Sequence, residues 1–98
     1  MLSQDNFNDL LSQGRYSEAE PFYLEALQMR KDLLGQEHPN VATSLNNLAL
    51  LYSNQGRYSE AITFFEQALD IAQRKLGENH PNTVLFRNNL KRLNQRDR

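Results

Sequence analysis

Apolar positions in this chain recur at helical spacing, and glycines interrupt them at regular intervals. From Pro39 to Gln55, Val41, Ala42, Leu45, Leu48, Ala49, Leu51 and Tyr52 keep one face apolar. That spacing is the signature of an amphipathic helix. Gly56 breaks the pattern. A second stripe then runs from Ser59 to Leu76 through Ile62, Phe65, Ala68, Leu69 and Ala72. The pair predicts two helices joined by a tight turn at Gly56. Ala49, Ala61 and Ala68 sit where the helices must approach closely. Leu45, Leu48, Tyr52, Tyr58 and Phe65 fill the space around them.

The same pattern extends both ways. Upstream, Ala19, Phe22, Tyr23, Ala26, Leu27, Arg30 and Leu33-Leu34 predict a helix from near Ser17 to Gly35. Ser17-Glu18-Ala19-Glu20 has the form of a capping box, in which Ser17 and Glu20 satisfy each other's free backbone donors. Pro21 falls early enough to be tolerated. Before that, Phe7, Leu10 and Leu11 predict a weak helix over residues 1–13, with Asp5 as a cap and Gly14 as its end. Downstream, Gly77 stops the second stripe and Pro81 opens a last helix to about Gln95. Pro39 and Pro81 suit a first helical position, where a missing N–H costs nothing.

Sliding the chain by 42 residues aligns Gly14-Arg15-Tyr16-Ser17-Glu18-Ala19 with Gly56-Arg57-Tyr58-Ser59-Glu60-Ala61, without a mismatch. The register holds onward. Phe22 meets Phe64, Leu34-Gly35 meets Leu76-Gly77, His38-Pro39-Asn40 meets His80-Pro81-Asn82, and Asn46-Asn47-Leu48 meets Asn88-Asn89-Leu90. A gapless match over a whole offset marks a structural repeat. Three units are expected within one domain spanning 1–98: residues 1–37 (partly degenerate), 38–79, and a half repeat over 80–98. In that last helix Arg87, Lys91 and Asn94 replace Leu45, Ala49 and Tyr52. A polar inward face reads as a cap on a stack.

Composition narrows the picture. The chain has 98 residues and a net charge of −1, so it holds one domain at most. There is no cysteine, hence no disulfide or thiolate metal site. No apolar run is long enough to span a membrane. Met1-Leu2-Ser3-Gln4-Asp5-Asn6 lacks the basic-then-apolar order of a signal peptide, so a cytoplasmic location is expected. Charge is uneven. Residues 87–98 carry Arg87, Lys91, Arg92, Arg96 and Arg98 against Asp97 alone, and the remainder is net acidic. No interleaving of aromatic and basic residues suggests a nucleic-acid platform.

These residues resemble the tetratricopeptide repeat. The family's first-helix pattern is met by Leu45, Leu48-Ala49 and Tyr52. Its second-helix pattern is met by Ala61, Phe65 and Ala68, and by Ala19, Tyr23 and Ala26 in the preceding copy. The 42-residue period looks like the kinesin-light-chain type. The resemblance implies an all-α superhelix of antiparallel helix hairpins, about two repeats plus a terminal capping helix. It implies binding of a peptide segment of a partner in a concave groove lined by first helices. The groove positions carry over to Thr43, Asn46, Asn47, Leu50, Ser53 and Asn54, and to Asn88, Asn89, Arg92, Gln95 and Arg96.

The periodicity agrees with that placement. If Leu45, Leu48 and Tyr52 face the stack, Asn46, Asn47, Leu50 and Asn54 share another face. Asparagine both donates and accepts, so it can grip any peptide backbone. Arginine captures carboxylates with two parallel bonds. The expected ligand is therefore a protein segment, preferably acidic, held by Asn46, Asn47, Leu50, Asn54, Asn88, Asn89, Arg92 and Arg96. The bland alternative is that the paired asparagines fix repeat stacking and the arginines are solvated. Two hairpins and a half are few for a solenoid, so either the chain is a fragment of a longer array or two chains complete each other, and self-association into a homodimer is the competing expectation.

No enzymatic chemistry is expected, and no cofactor or metal. His38 and His80 occupy equivalent loop positions without convergent ligands, so capping or packing is expected of them. The glycines fall as helix stops rather than in a phosphate-binding pattern.

Overall fold

The computed structural model describes residues 14–96. The helix expected over residues 1–13, with Asp5, Phe7, Leu10 and Leu11, lies outside them, as do Asp97 and Arg98. Four α-helices make up the described residues: α1 (Tyr16–Leu34), α2 (Pro39–Asn54), α3 (Tyr58–Leu76) and α4 (Pro81–Arg96). Each packs on its neighbours in sequence, and the α2–α3 contact is the most extensive. Among the described residues there is no strand, so the architecture is all-α.

The expected face of α2 is the core. Val41, Ala42, Leu45, Leu48, Ala49, Leu51 and Tyr52 are all buried. From α3, Ala61, Phe65, Ala68 and Ala72 meet them. Ile71 is also buried, whereas Ile62 and Leu69 are only half-buried. The alanines let the helix axes approach, and Phe65 and Leu48 fill what remains. Tyr52 packs its ring on Phe64, with centroids 5.5 Å apart.

Loop chemistry fixes the helix ends. His38 caps α2, its Nδ1 accepting the Asn40 backbone N–H at 3.0 Å. His80 does the same for the Asn82 N–H at the same distance. A ring nitrogen thus satisfies one of the donors that a helix start leaves free. Pro39 holds the first turn of α2. At the α2–α3 turn Gly56 takes φ +78°, a left-handed conformation that a side chain disfavours. The turn then closes with the Arg57 N–H donating to the Tyr52 carbonyl at 2.9 Å.

The capping box at Ser17 does not form. α1 starts one residue earlier, at Tyr16, and its N-cap is Arg15 with no side-chain cap bond. Glu20 faces α2 instead. Its carboxylate accepts from Arg57 Nη1 at 2.7 Å and from the Tyr52 hydroxyl at 3.4 Å. Arg57 also lies 4.0 Å over the Tyr52 ring and pairs with Glu60. A charge-assisted bond to a neighbouring helix outcompetes a local backbone cap. Arg15 pairs with Glu18 as Arg57 pairs with Glu60, so this feature of the repeat is kept.

α1 is the least buried helix. Ala19 and Leu27 are its buried residues, while Leu24, Met29, Leu33 and Leu34 are exposed. Ala26, which aligns with the buried Ala68, is exposed as well.

Candidate binding cleft between α2 and α4

A cleft of ≈ 250 Å³ separates the aligned helices α2 and α4. Leu50, Ser53 and Asn54 line it from α2, and Asn89, Arg92, Leu93 and Arg96 from α4. Phe65 of α3 reaches its floor. The wall residues recur one helical turn apart, as a continuous face requires. The floor is apolar, through Phe65 and Leu93, and the rim is amide and guanidinium.

The four asparagines divide into two kinds. Asn46 and Asn89 are 3% and 5% exposed. Asn89 Nδ2 donates to Asn46 Oδ1 at 3.1 Å, across α2 and α4. Asn47 and Asn88 are exposed. The first asparagine of one copy thus faces the second asparagine of the next. The shared face expected for Asn46, Asn47, Leu50 and Asn54 fails at Asn46, whose side chain lies inside the stack. A buried amide needs a partner, and the adjacent helix supplies it.

Arg92 Nη2 donates to Asn89 Oδ1. Arg96 lies with its guanidinium 5.5 Å from the Tyr58 ring centroid, within cation–π range. Arg15, Arg57, Arg74 and Arg87 each pair with a carboxylate. Arg30 donates to Ser44 and to the Asn40 carbonyl. Arg92 and Arg96 have no carboxylate partner among the described residues. Two uncompensated guanidiniums one turn apart make the α4 wall a cationic surface.

Of the eight residues expected to bind, the cleft gathers Leu50, Asn54, Asn89, Arg92 and Arg96. Asn46 lies behind Asn89, and Asn47 and Asn88 stand outside the lining. The floor residue Leu93 was not singled out from the sequence. Its signal is the repeat offset, which aligns it with inward-facing Leu51. Tyr58, under Arg96, was expected as a core or groove-wall aromatic.

Two other depressions are larger, at ≈ 370 Å³ and ≈ 450 Å³. One on the outer side of α4 is lined by Arg87, Leu90, Lys91, Asn94 and Gln95. Another lies at the start of α1 against Gln55 and Arg57, where Arg57 is already paired. Among the described residues no three His, Cys, Asp or Glu side chains converge as metal ligands. No described helix is long and apolar enough to cross a membrane.

Comparison with known proteins follows the repeat. The sequence model of the tetratricopeptide repeat matches residues 8–74 and again residues 45–98. A nucleotide-binding leucine-rich repeat (NLR)-like protein of Hyaloscypha variabilis is 45% identical over 52 residues. That match covers 45% of this chain and 5% of the relative, so the chain spans a small part of that protein's length.

Proposed function

The chain belongs to the tetratricopeptide repeat family, and from that premise we propose that the cleft between α2 and α4 docks an extended, acidic segment of a partner protein. Repeats of this family are generally protein–protein interaction modules and the family is non-catalytic. The observation that carries the finer reading is the pair Arg92 and Arg96. They line a cleft with an apolar floor and have no carboxylate partner among the described residues. Carboxylates of the partner complete them with paired hydrogen bonds. Leu50, Phe65 and Leu93 take an apolar side chain between those contacts. Asn54 on the opposite wall grips the backbone, and Asn47 and Asn88 extend the amide surface beyond the cleft. The 42-residue offset supports reading the repeats as the kinesin-light-chain type.

A peptide-display selection on the folded chain tests this, run beside an Arg92→Gln/Arg96→Gln variant of equal helicity. Enriched peptides should share acidic positions, lose affinity for the variant and weaken with salt. Enrichment of peptides indifferent to both arginines overturns the assignment.

One observation favours a second reading, self-association. Met29 and Leu33 stand exposed one turn apart on α1, and adjoining exposed apolar side chains mark contact surfaces. Sedimentation of the parent and of Met29→Glu/Leu33→Glu separates the readings. A dimer that dissociates in the variant supports self-assembly through α1. A monomeric parent removes it.

A further inference from the structure

Asn46 touches neither the cleft nor its solvent, yet its place in the hydrogen-bond chain gives it a role there. The chain runs Asn46 Oδ1, Asn89 Nδ2, Asn89 Oδ1, Arg92 Nη2. Guanidinium has donors and no acceptor, so Asn89 must turn its oxygen toward Arg92. Its amino group then points the other way, into the stack. There it needs an acceptor, and Asn46 Oδ1 supplies one at 3.1 Å. Each amide orientation fixes the next.

We propose that Asn46 is a positioning residue for carboxylate binding: it locks the Asn89 amide so that Arg92 is held over the cleft with its remaining N–H donors free. The inference rests on the acidic-segment reading above for its ligand class, and on geometry alone for the relay. An arginine on an open helix face loses rotamer freedom when it binds. An arginine already held loses less, so its ligand binds more tightly. The lock also explains why the buried pair is polar. Leucine at both positions fills the same space with no partner to find.

Repeat geometry accounts for where this arginine is held. Asn46 and Asn89 are the first and second asparagines of successive copies, so the bond exists only where two first helices lie side by side. Arg92 stands one turn after Asn89 on the same face. The copy before has Leu50 in that position. Restraint and charge therefore coincide at one place in the cleft.

The test uses NMR on the ligand-free chain, followed by titration with pentaglutamate, with pentaglutamine as the uncharged control. In the parent, slow rotation of a held guanidinium should give Arg92 resolved Nη signals. Asn46→Leu should collapse them to one averaged signal, and Asn46→Asp, which keeps an acceptor, should restore them. Asn46→Leu should weaken pentaglutamate about tenfold, matching Arg92→Gln. The double variant should lose nothing further. If Asn46→Leu fails to fold, Asn46→Ala replaces it, since it too removes the acceptor and leaves the Asn89–Arg92 pair in place.

Unchanged Arg92 signals in Asn46→Leu overturn the relay, whatever the peptide does. Altered signals with unchanged pentaglutamate affinity overturn the positioning role and leave the acidic-segment reading in place. A parent that ignores pentaglutamate overturns the acidic-segment reading. The positioning role falls with it, and the Arg92 signals alone then report whether the relay exists as packing.

Discussion

α2 and α4 are aligned copies of one helix, 42 residues apart, and they bury different shares of the same face. Val41 and Thr83 are both fully buried, and so, nearly, are Leu51 and Leu93. These pairs face a neighbour in both copies. Leu45, Ala49 and Tyr52 are buried in α2, whereas their counterparts Arg87, Lys91 and Asn94 are half-buried or exposed in α4. α2 packs against both α1 and α3, and α4 packs against α3. Residue type therefore tracks the number of neighbours, position by position. The cleft's charge arises instead at positions exposed in both copies: Leu50 and Asn54 of α2 become Arg92 and Arg96 of α4.

The strongest way to break the comparison is to remove a core leucine from each copy. Leu48→Ala should cost about 2–5 kcal/mol, as buried leucines do. Leu90→Ala, at a half-buried site, should cost well under half of that. Urea unfolding followed by circular dichroism measures both. Equal losses would mean that α4 is packed as tightly as α2.

A smaller effect sharpens the point where the copies are equally buried. The Thr83 hydroxyl is buried without a hydrogen-bond partner among the described residues, where the other copy has Val41. Thr83→Val should stabilise the chain by about 1 kcal/mol, because a lone buried hydroxyl carries its desolvation penalty unrelieved. Val41→Thr should destabilise by about 1–3 kcal/mol on the same ground. Thermal melts decide the sign. A destabilised Thr83→Val would show that the hydroxyl is satisfied in solution.

Exchanging a cleft residue between the copies comes next. Arg92→Leu makes α4 like α2 at that position. It should leave the melting temperature nearly unchanged, since Arg92 is exposed and surface changes are worth little. Pentaglutamate affinity should fall about tenfold and lose most of its salt dependence. Retained affinity would move the carboxylate site off α4.

The smallest effect concerns the turn that anchors α2 to α3. Its hydrogen bond to Arg57 holds the Glu60 carboxyl below the usual glutamate range. A lowered folded pKa stabilises above the unfolded value of about 4.3. The contribution then fades as pH falls through the folded value. A Glu60→Gln variant should show a slightly flatter loss of stability between about pH 5 and 3 than the parent. Both carboxylate and guanidinium are solvent-exposed, so the difference is small. Identical profiles would show that the pair has no weight in solution.

Much of the fold was legible because repetition multiplies a weak signal. Helical spacing predicted the apolar buried face of α2, and the 42-residue offset predicted the helix after Pro81 with that face turned polar. Gly56 and Pro39 marked their ends through backbone sterics that need no neighbour. What failed was chemistry with a choice of partners. Ser17 and Glu20 matched a capping box, but Glu20 found Arg57 and Tyr52 across the stack. Four asparagines looked alike, but Asn46 and Asn89 found each other. Ala26 kept the small-residue pattern and is nonetheless exposed, because spacing shows where a helix can be approached and not whether anything approaches it.

The sequence by itself determined that this chain is a stack of helix hairpins. Periodicity, turn residues and the internal repeat are local properties, set by backbone sterics and by the burial of one helical face. The tertiary structure alone decided which polar groups are spent inside the stack and which stay at its surface. That division depends on distances between helices distant in sequence, and side chains with several possible partners settle only when the helices are packed. Asn46 and Arg92 take their roles from that packing: one is buried behind Asn89, and the other opens onto the cleft.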